Sequence, residues 1–267
     1  MAIQTVDDIA DGLANSAQRI NFFKQFTAPK GAGAFASSWT APGFPGAGAT
    51  PPAYTAGAGY TYSSATPGAI PFTNATLVNW LAKLSCMTSV TGSLILVDRL
   101  WSCSGIPFGA GSHSITTPGS LPARITDGGV GVEAWVENYV AAGAATGTLT
   151  LYYLDATGNP QSGTMPTVVS APVAQQMQPI PIRQDLGISQ ITSVGKTATW
   201  TSGSFGLTLL KRIAEIPSTA TAGIGQSVDW AETALANVPN DACLSLVWLA
   251  TSITTPIVLG NITLIDK

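Results

Sequence analysis

The chain has 267 residues, 45% of them hydrophobic and only 9% charged, where an average soluble domain carries roughly 25% charged residues. Its formal net charge is -3, and its eleven Lys and Arg residues form no run. The basic footprint of nucleic-acid binding is therefore missing, as is the polybasic segment that draws a protein to a membrane surface.

Charge keeps a monomer soluble and apart from its copies. A chain this poor in charge is expected to hide much of its surface against other subunits. The first residues, MAIQTVDD, are acidic and lead into no apolar h-region, so no signal peptide is expected. No run of about 18 apolar residues occurs, so no membrane-spanning helix is expected. Cys86, Cys103 and Cys243 are dispersed and odd in number, which predicts buried free thiols rather than a disulfide framework.

In chain order, the first expected element is an amphipathic helix from Val6 to Phe26. Val6, Ile9, Leu13, Ala17, Ile20 and Phe23 recur every three or four residues, and Thr5 with Asp8 resembles a capping box. Residues 28–73 follow, rich in Gly, Ala, Pro, Ser and Thr, with Lys30 their only charge. Such density of Gly and Pro forbids a long helix or a central strand. Trp39, Phe44, Tyr54, Tyr60, Tyr62 and Phe72 are spaced along this stretch like anchors. It reads as an extended arm lying over the body or over a neighbouring subunit. A second helix is expected over Ala75–Cys86, from Leu77, Trp80, Leu81 and Leu84.

From Ser93 onward the chain reads as β. Expected strands are Leu94–Leu100, Val130–Val140, Thr148–Leu154, Thr164–Val169, Ile188–Val194, Ala198–Thr201, Phe205–Ile213, Cys243–Ala250 and Ile257–Ile265. Asp155–Asn159 is the expected reversal after LTLYYL, and Asp229–Ala236 a short helix. Strands at this spacing without interleaved helices predict a mainly β protein, an antiparallel sandwich resembling a jelly roll. The expected organisation is a helix (1–27), an arm (28–73) and a β body (74–267). Within Val130–Val140, read as a strand in preference to a helix whose stripe would be Val132, Trp135, Val136 and Tyr139, the residues Val132, Ala134, Val136 and Val140 are expected to face the core. Glu133, Trp135, Glu137 and Tyr139 are expected to form an outward polar-aromatic face, as interfaces often have.

No catalytic constellation stands out. His113 is the only histidine, set in GAGSHSITTPG, and no GxSxG elbow exists for a triad to use. One His and three scattered Cys give no zinc spacing. Glu133 and Glu137 on one strand would stand about 13 Å apart at roughly 3.3 Å per residue, beyond the about 5–9.5 Å of glycosidase pairs. SVGKT at Ser193–Thr197 lacks the first Gly of a phosphate loop, since that position is Gln190, and the residues after it are strand-like. Neither an enzyme nor a cofactor nor a metal is expected.

Four strings, IQTVDDIADGLAN followed by FFK, SSWTAPGFPGAGATPP, LVDRLWSCSGI, and ARITDGGVGVEAWVENY with its TLTLYYLDATGN turn, resemble virion structural proteins of tailed bacteriophages. They cover about the first 160 residues. The resemblance implies a place in the particle, foremost a capsid decoration or cement protein, and carries no mapped functional residue with it. The partners it implies are further copies of this chain, a trimer by preference, and the major capsid protein. The expected location is the virion, assembled in the host cytoplasm. Major capsid, tail-tube and baseplate roles are the nearest alternatives. A receptor- or glycan-binding jelly roll is the next. On this reading Trp39, Phe44, Tyr54, Tyr60, Tyr62, Glu133, Trp135, Glu137 and Tyr139 form the interface. Deleting residues 1–72 should then leave a folded body that no longer assembles.

Overall fold

The computed structural model describes residues 3–27, 31–56, 59–107, 111–115, 121–143, 147–165, 171–197, 202–217, 223–253 and 255–267. One helix, α1 (Val6–Asn15), precedes a run of strands. These are β1 (Gln18–Gln25), β2 (Phe35–Ser37), β3 (Gly43–Phe44), β4 (Tyr60–Thr61), β5 (Asn79–Thr88) and β6 (Gly92–Pro107). Next come β7 (Gly111–Ser114), β8 (Val132–Glu137), β9 (Leu149–Leu154), β10 (Pro160–Met165), β11 (Gln176–Ile180) and β12 (Gln190–Lys196). The last are β13 (Ser204–Ile216), β14 (Gln226–Asp229), β15 (Asn237–Val238), β16 (Leu244–Ala250) and β17 (Ile257–Asp266). The protein is mainly β with antiparallel sheets, as its strand spacing predicts. Its division differs from helix, arm and body. One unit is Met1–Gly48, Ser63–Asp98 and Arg212–Lys267, and the other is Ala49–Tyr62 and Arg99–Lys211.

In the first unit, one sheet runs in the order β14, β5, β17, β1, β3, with β15 also on β5. Strand β16 pairs with β2 on one side and with Gly92–Asp98 of β6 on the other. Phe22, Leu81, Leu84 and Ile262 from the first group pack with Leu94, Leu96, Leu246 and Trp248 from the second, giving one apolar core. The expected capping box forms: Asp8 N donates to Thr5 Oγ1 at 3.2 Å, and Thr5 N donates to Asp8 Oδ2 at 2.9 Å.

Helix α1 stops at Asn15, eleven residues short of the expected end at Phe26, because Gln18–Gln25 is a strand. Phe22, Lys24 and Phe26 point inward and are buried, while Arg19, Asn21, Phe23 and Gln25 are exposed. All eight residues of β1 pair with β17, and that ladder outweighs one more turn of a lone helix. The expected helix over Ala75–Cys86 is also a strand. Its ladder with β17 shifts register between Thr263 and Leu264, so that Ala82 is an extra residue bulged out of β5. Leu81 and Leu84 therefore enter the same core three residues apart, a spacing that imitates a helix. The short helix expected at Asp229–Ala236 is the end of β14 and a series of turns.

The Gly/Pro-rich stretch is an integral part of the chain's own fold rather than an arm. Trp39 is buried, its carbonyl accepts from Gly48 N at 2.8 Å, and its ring leaves no room for a side chain at Gly48. Lys24 occupies an inward position of β1 and donates to the carbonyls of Ala41 (3.2 Å), Pro45 (2.9 Å) and Gly46 (3.2 Å). Replacing Lys24 by Met should cost about 1–3 kcal/mol, read by urea unfolding, since those carbonyls lose their donor. Burial lowers the Lys24 ammonium from its ordinary 10.5 to about 8. Between these values the unfolded chain binds more protons than the folded one, so this group raises stability as pH climbs from 8 to 10.5. Lys24→Met should lose that rise.

In the second unit, one sheet has the order β10, β9, β12, β7. Strand β8 pairs with β11 and β13, and β4 pairs with β6 at Tyr60↔Ser102. Leu149, Leu151, Tyr153 and Val194 from the four-stranded sheet pack with Val132, Ala134, Leu207 and Leu209. The predicted reversal at Asp155–Asn159 closes the β9–β10 hairpin: Asp155 Oδ1 accepts from Thr157 N, Thr157 Oγ1 and Asn159 N at 2.7–2.9 Å. These bonds hold the carboxyl down at about 2. SVGKT lies along β12, a strand and not a phosphate loop. Expected strand residues 166–169 and 198–201 lie outside the described residues.

Candidate functional site

Glu137 and Arg99 are 1% and 2% exposed, although Glu137 was expected on an outward face. Arg99 Nη2 donates to Glu137 Oε2 at 2.5 Å and Nη1 to Oε1 at 3.3 Å, a two-point pair. Tyr139 Oη (2.8 Å) and Thr208 Oγ1 (2.5 Å) also donate to Glu137 Oε2. Tyr62 lies beneath the guanidinium at 5.0 Å, and Arg124 donates to the carbonyls of Tyr62 and Arg99 at 2.8 and 3.1 Å. Burial works against the charge on Arg99, yet Glu137 holds it well above the usual range. Burial, then the Glu137 charge, pushes the Tyr139 phenol well up. Neither group can exchange a proton near neutral pH. The cluster ties β6, β8 and β13 together and offers nothing to a substrate.

Of the nine predicted interface residues, Trp39, Tyr62, Trp135 and Glu137 are buried in the chain itself and are unavailable to a partner. The alternation fails at β8 because both of its faces are covered; Trp135 Nε1 turns to Glu133 Oε2 at 3.0 Å. Val140, expected inward, is exposed, beyond the end of the strand at Glu137. Glu133, Tyr139 and Tyr54 are half-buried. Tyr54 Oη meets the Nδ1 of His113, which lies on β7, at 3.5 Å. Ser112 and Ser114 flank His113 on the strand and so face the opposite side, where no proton can pass between them and the imidazole. Among the described residues no group of three or more His, Cys, Asp or Glu is placed to hold a metal.

Phe44 and Tyr60 are the two predicted residues that are exposed, at 55% and 41%, Tyr60 with its ring edge against Tyr62. Phe44 is not isolated. It pairs across the ladder with Phe23, Phe23 with Leu259, and Leu259 with Met87. Directly opposed residues share a sheet face. Phe23, Leu259 and Met87 are 39%, 37% and 37% exposed, so an apolar line crosses four strands on the outer face of the first unit's sheet. Sequence reasoning missed Phe23 because β1 was read as a helix and Met87 because β5 was read as a helix ending at Cys86; Leu259 lay on an expected strand, but its neighbours across the ladder did not. The available signal was alternation around Phe23, with Phe22 and Phe26 inward, and Lys24 concealed it.

No family model matches this chain. No curated protein matches it either. Among solved structures it is weakly similar to several of infectious bursal disease virus. The infectious bursal disease virus Gt strain structure has 8% identity and a TM-score of 0.19, over 94% of this chain and 82% of that one. The Gx strain structure has 10% identity and a TM-score of 0.21, over 94% and 81%. The T13 particle crystal structure has 10% identity and a TM-score of 0.18, over 93% and 77%. Scores of this size establish no common fold.

Proposed function

We propose that this chain is a non-enzymatic structural subunit of a phage particle, a capsid decoration or cement protein that works by packing. The observation that carries this is the apolar line Phe44–Phe23–Leu259–Met87, exposed on hydrogen-bonded strands rather than on loops. A rigid apolar face presents contacts without a further entropic cost of ordering. The low charge and the four phage-like strings support the same reading, as does a titratable cluster that is sealed inside the chain.

The test is the copy number of this protein in purified virions, by quantitative mass spectrometry against the most abundant shell protein. Hundreds of copies in a simple ratio to the shell are expected. A few dozen copies would move it to the tail or baseplate. If it proved the most abundant species, it would be the shell itself. Absence from the particle would overturn the proposal.

A further inference from the structure

The exposed face of the first unit's sheet is ordered in rows. The apolar row is Phe44, Phe23, Leu259 and Met87. It ends at Gly225, which lines a depression of about 360 Å3 together with Met87 and Leu259. On one side lies a row of Asn21, Asn261, Ser85 and Ser227. On the other lie Gln25 and Ile257, with Ser89 Oγ accepting from Ile257 N. These three rows contain no charged side chain. The next row out holds Arg19, Lys83 and Asp229. Beyond it α1 rises, where Ile9 packs on Ala82 and Ile265.

We propose that this face binds a second copy of the same chain, about a two-fold axis lying along the apolar row. That axis lays each apolar residue on its own counterpart and sets the Asn/Ser row of one copy over the Gln25–Ser89 row of the other. Asn21 then meets Gln25 and Ser85 meets Ser89, each able to donate and accept, while Asn261 lies over Ile257, and no like charges meet. A two-fold contact of this kind needs a patch complementary to itself, and an apolar row flanked by Asn21 and Ser85 on one side and by Gln25 and Ser89 on the other provides one.

Five strands at about 4.8 Å spacing and three rows at about 6.6 Å give on the order of 500 Å2. A standard stable interface buries about 800 Å2 per partner. The pair is thus weak between free chains and is strengthened where many copies are held together. This inference deepens the structural-subunit reading by naming one partner. It can fail while that reading stands, since it is tested on the purified chain and not on virions.

Sedimentation equilibrium of the full chain, from micromolar to millimolar, should show reversible conversion of monomer to dimer. Phe23→Glu should weaken dimerisation at least tenfold while leaving the circular dichroism unchanged, because Phe23 already faces water. Tyr152→Glu, exposed in the second unit, should have no effect. Leu259→Cys, near the middle of the row, should be captured as a covalent dimer by a short bis-maleimide. The native thiols give little background, being buried, with Cys86 pushed up by burial to about 11 and Cys103 to about 12. A chain that stays monomeric throughout would overturn the proposal. So would a dimer indifferent to Phe23→Glu, or one that Leu259→Cys fails to trap.

Discussion

Replacing Arg99 with Met should destabilise the protein by about 3–5 kcal/mol, enough to unfold a marginal chain at 37 °C. The substitution takes the two-point guanidinium partner from the Glu137 carboxylate, 1% exposed, and leaves the neutral donors Tyr139 and Thr208 beside it. Glu137→Leu should cost a similar amount by stranding the guanidinium. The double variant, Arg99→Met with Glu137→Leu, should recover most of the loss, since a buried pair exchanged as a pair for apolar residues is often neutral. Urea midpoints of the three variants against the parent chain decide this. If the two single losses simply add in the double variant, the pair is not the unit of stability described here.

Deleting residues 1–72 should abolish folding, not merely assembly. The deletion removes β1, which lies between β17 and β3, as well as β2 and β4. It also removes the buried side chains of Phe22, Phe26, Trp39, Tyr62 and Ile70. At about 1.5–3 kcal/mol for each large apolar side chain, these contribute roughly 8–15 kcal/mol, the same order as the whole stability of a domain. Circular dichroism and amide proton dispersion of the truncated chain provide the check. A cooperative, dispersed fold from residues 73–267 would contradict the packing described for both units.

What the sequence made legible followed from unbroken local signals. The β-branched runs that became β6, β9, β13, β16 and β17 were readable, as were the capping box at Thr5 and Asp8 and the turn at Asp155. Each rests on neighbouring residues. The misreadings share a different cause: a distant partner changes the local period. The bulge at Ala82 resets the phase of β5, so its inward residues fall at helical spacing. Lys24 takes an apolar position because three carbonyls from the following turn receive it. Trp135 and Glu137 looked outward because a half-exposed sheet was assumed, whereas both faces of β8 are covered. Of the apolar row only Phe44 was legible, since the row exists only once four strands from distant parts of the chain stand in register.

The pairing of β1 with β17 also governs when the protein can fold. Residues 18–25 find their partner only after residues 257–264 have been synthesised and have cleared the ribosome. At about 5–20 residues per second that interval is on the order of 10–50 s. Through it Phe22, Phe26, Leu81 and Leu84 have no finished core to enter, and β5 waits for the same strand. Nascent chains therefore pass through a long sticky interval in which a holding chaperone would matter. Closure by a late strand thus delays completion of the first unit's core until β17 has been made.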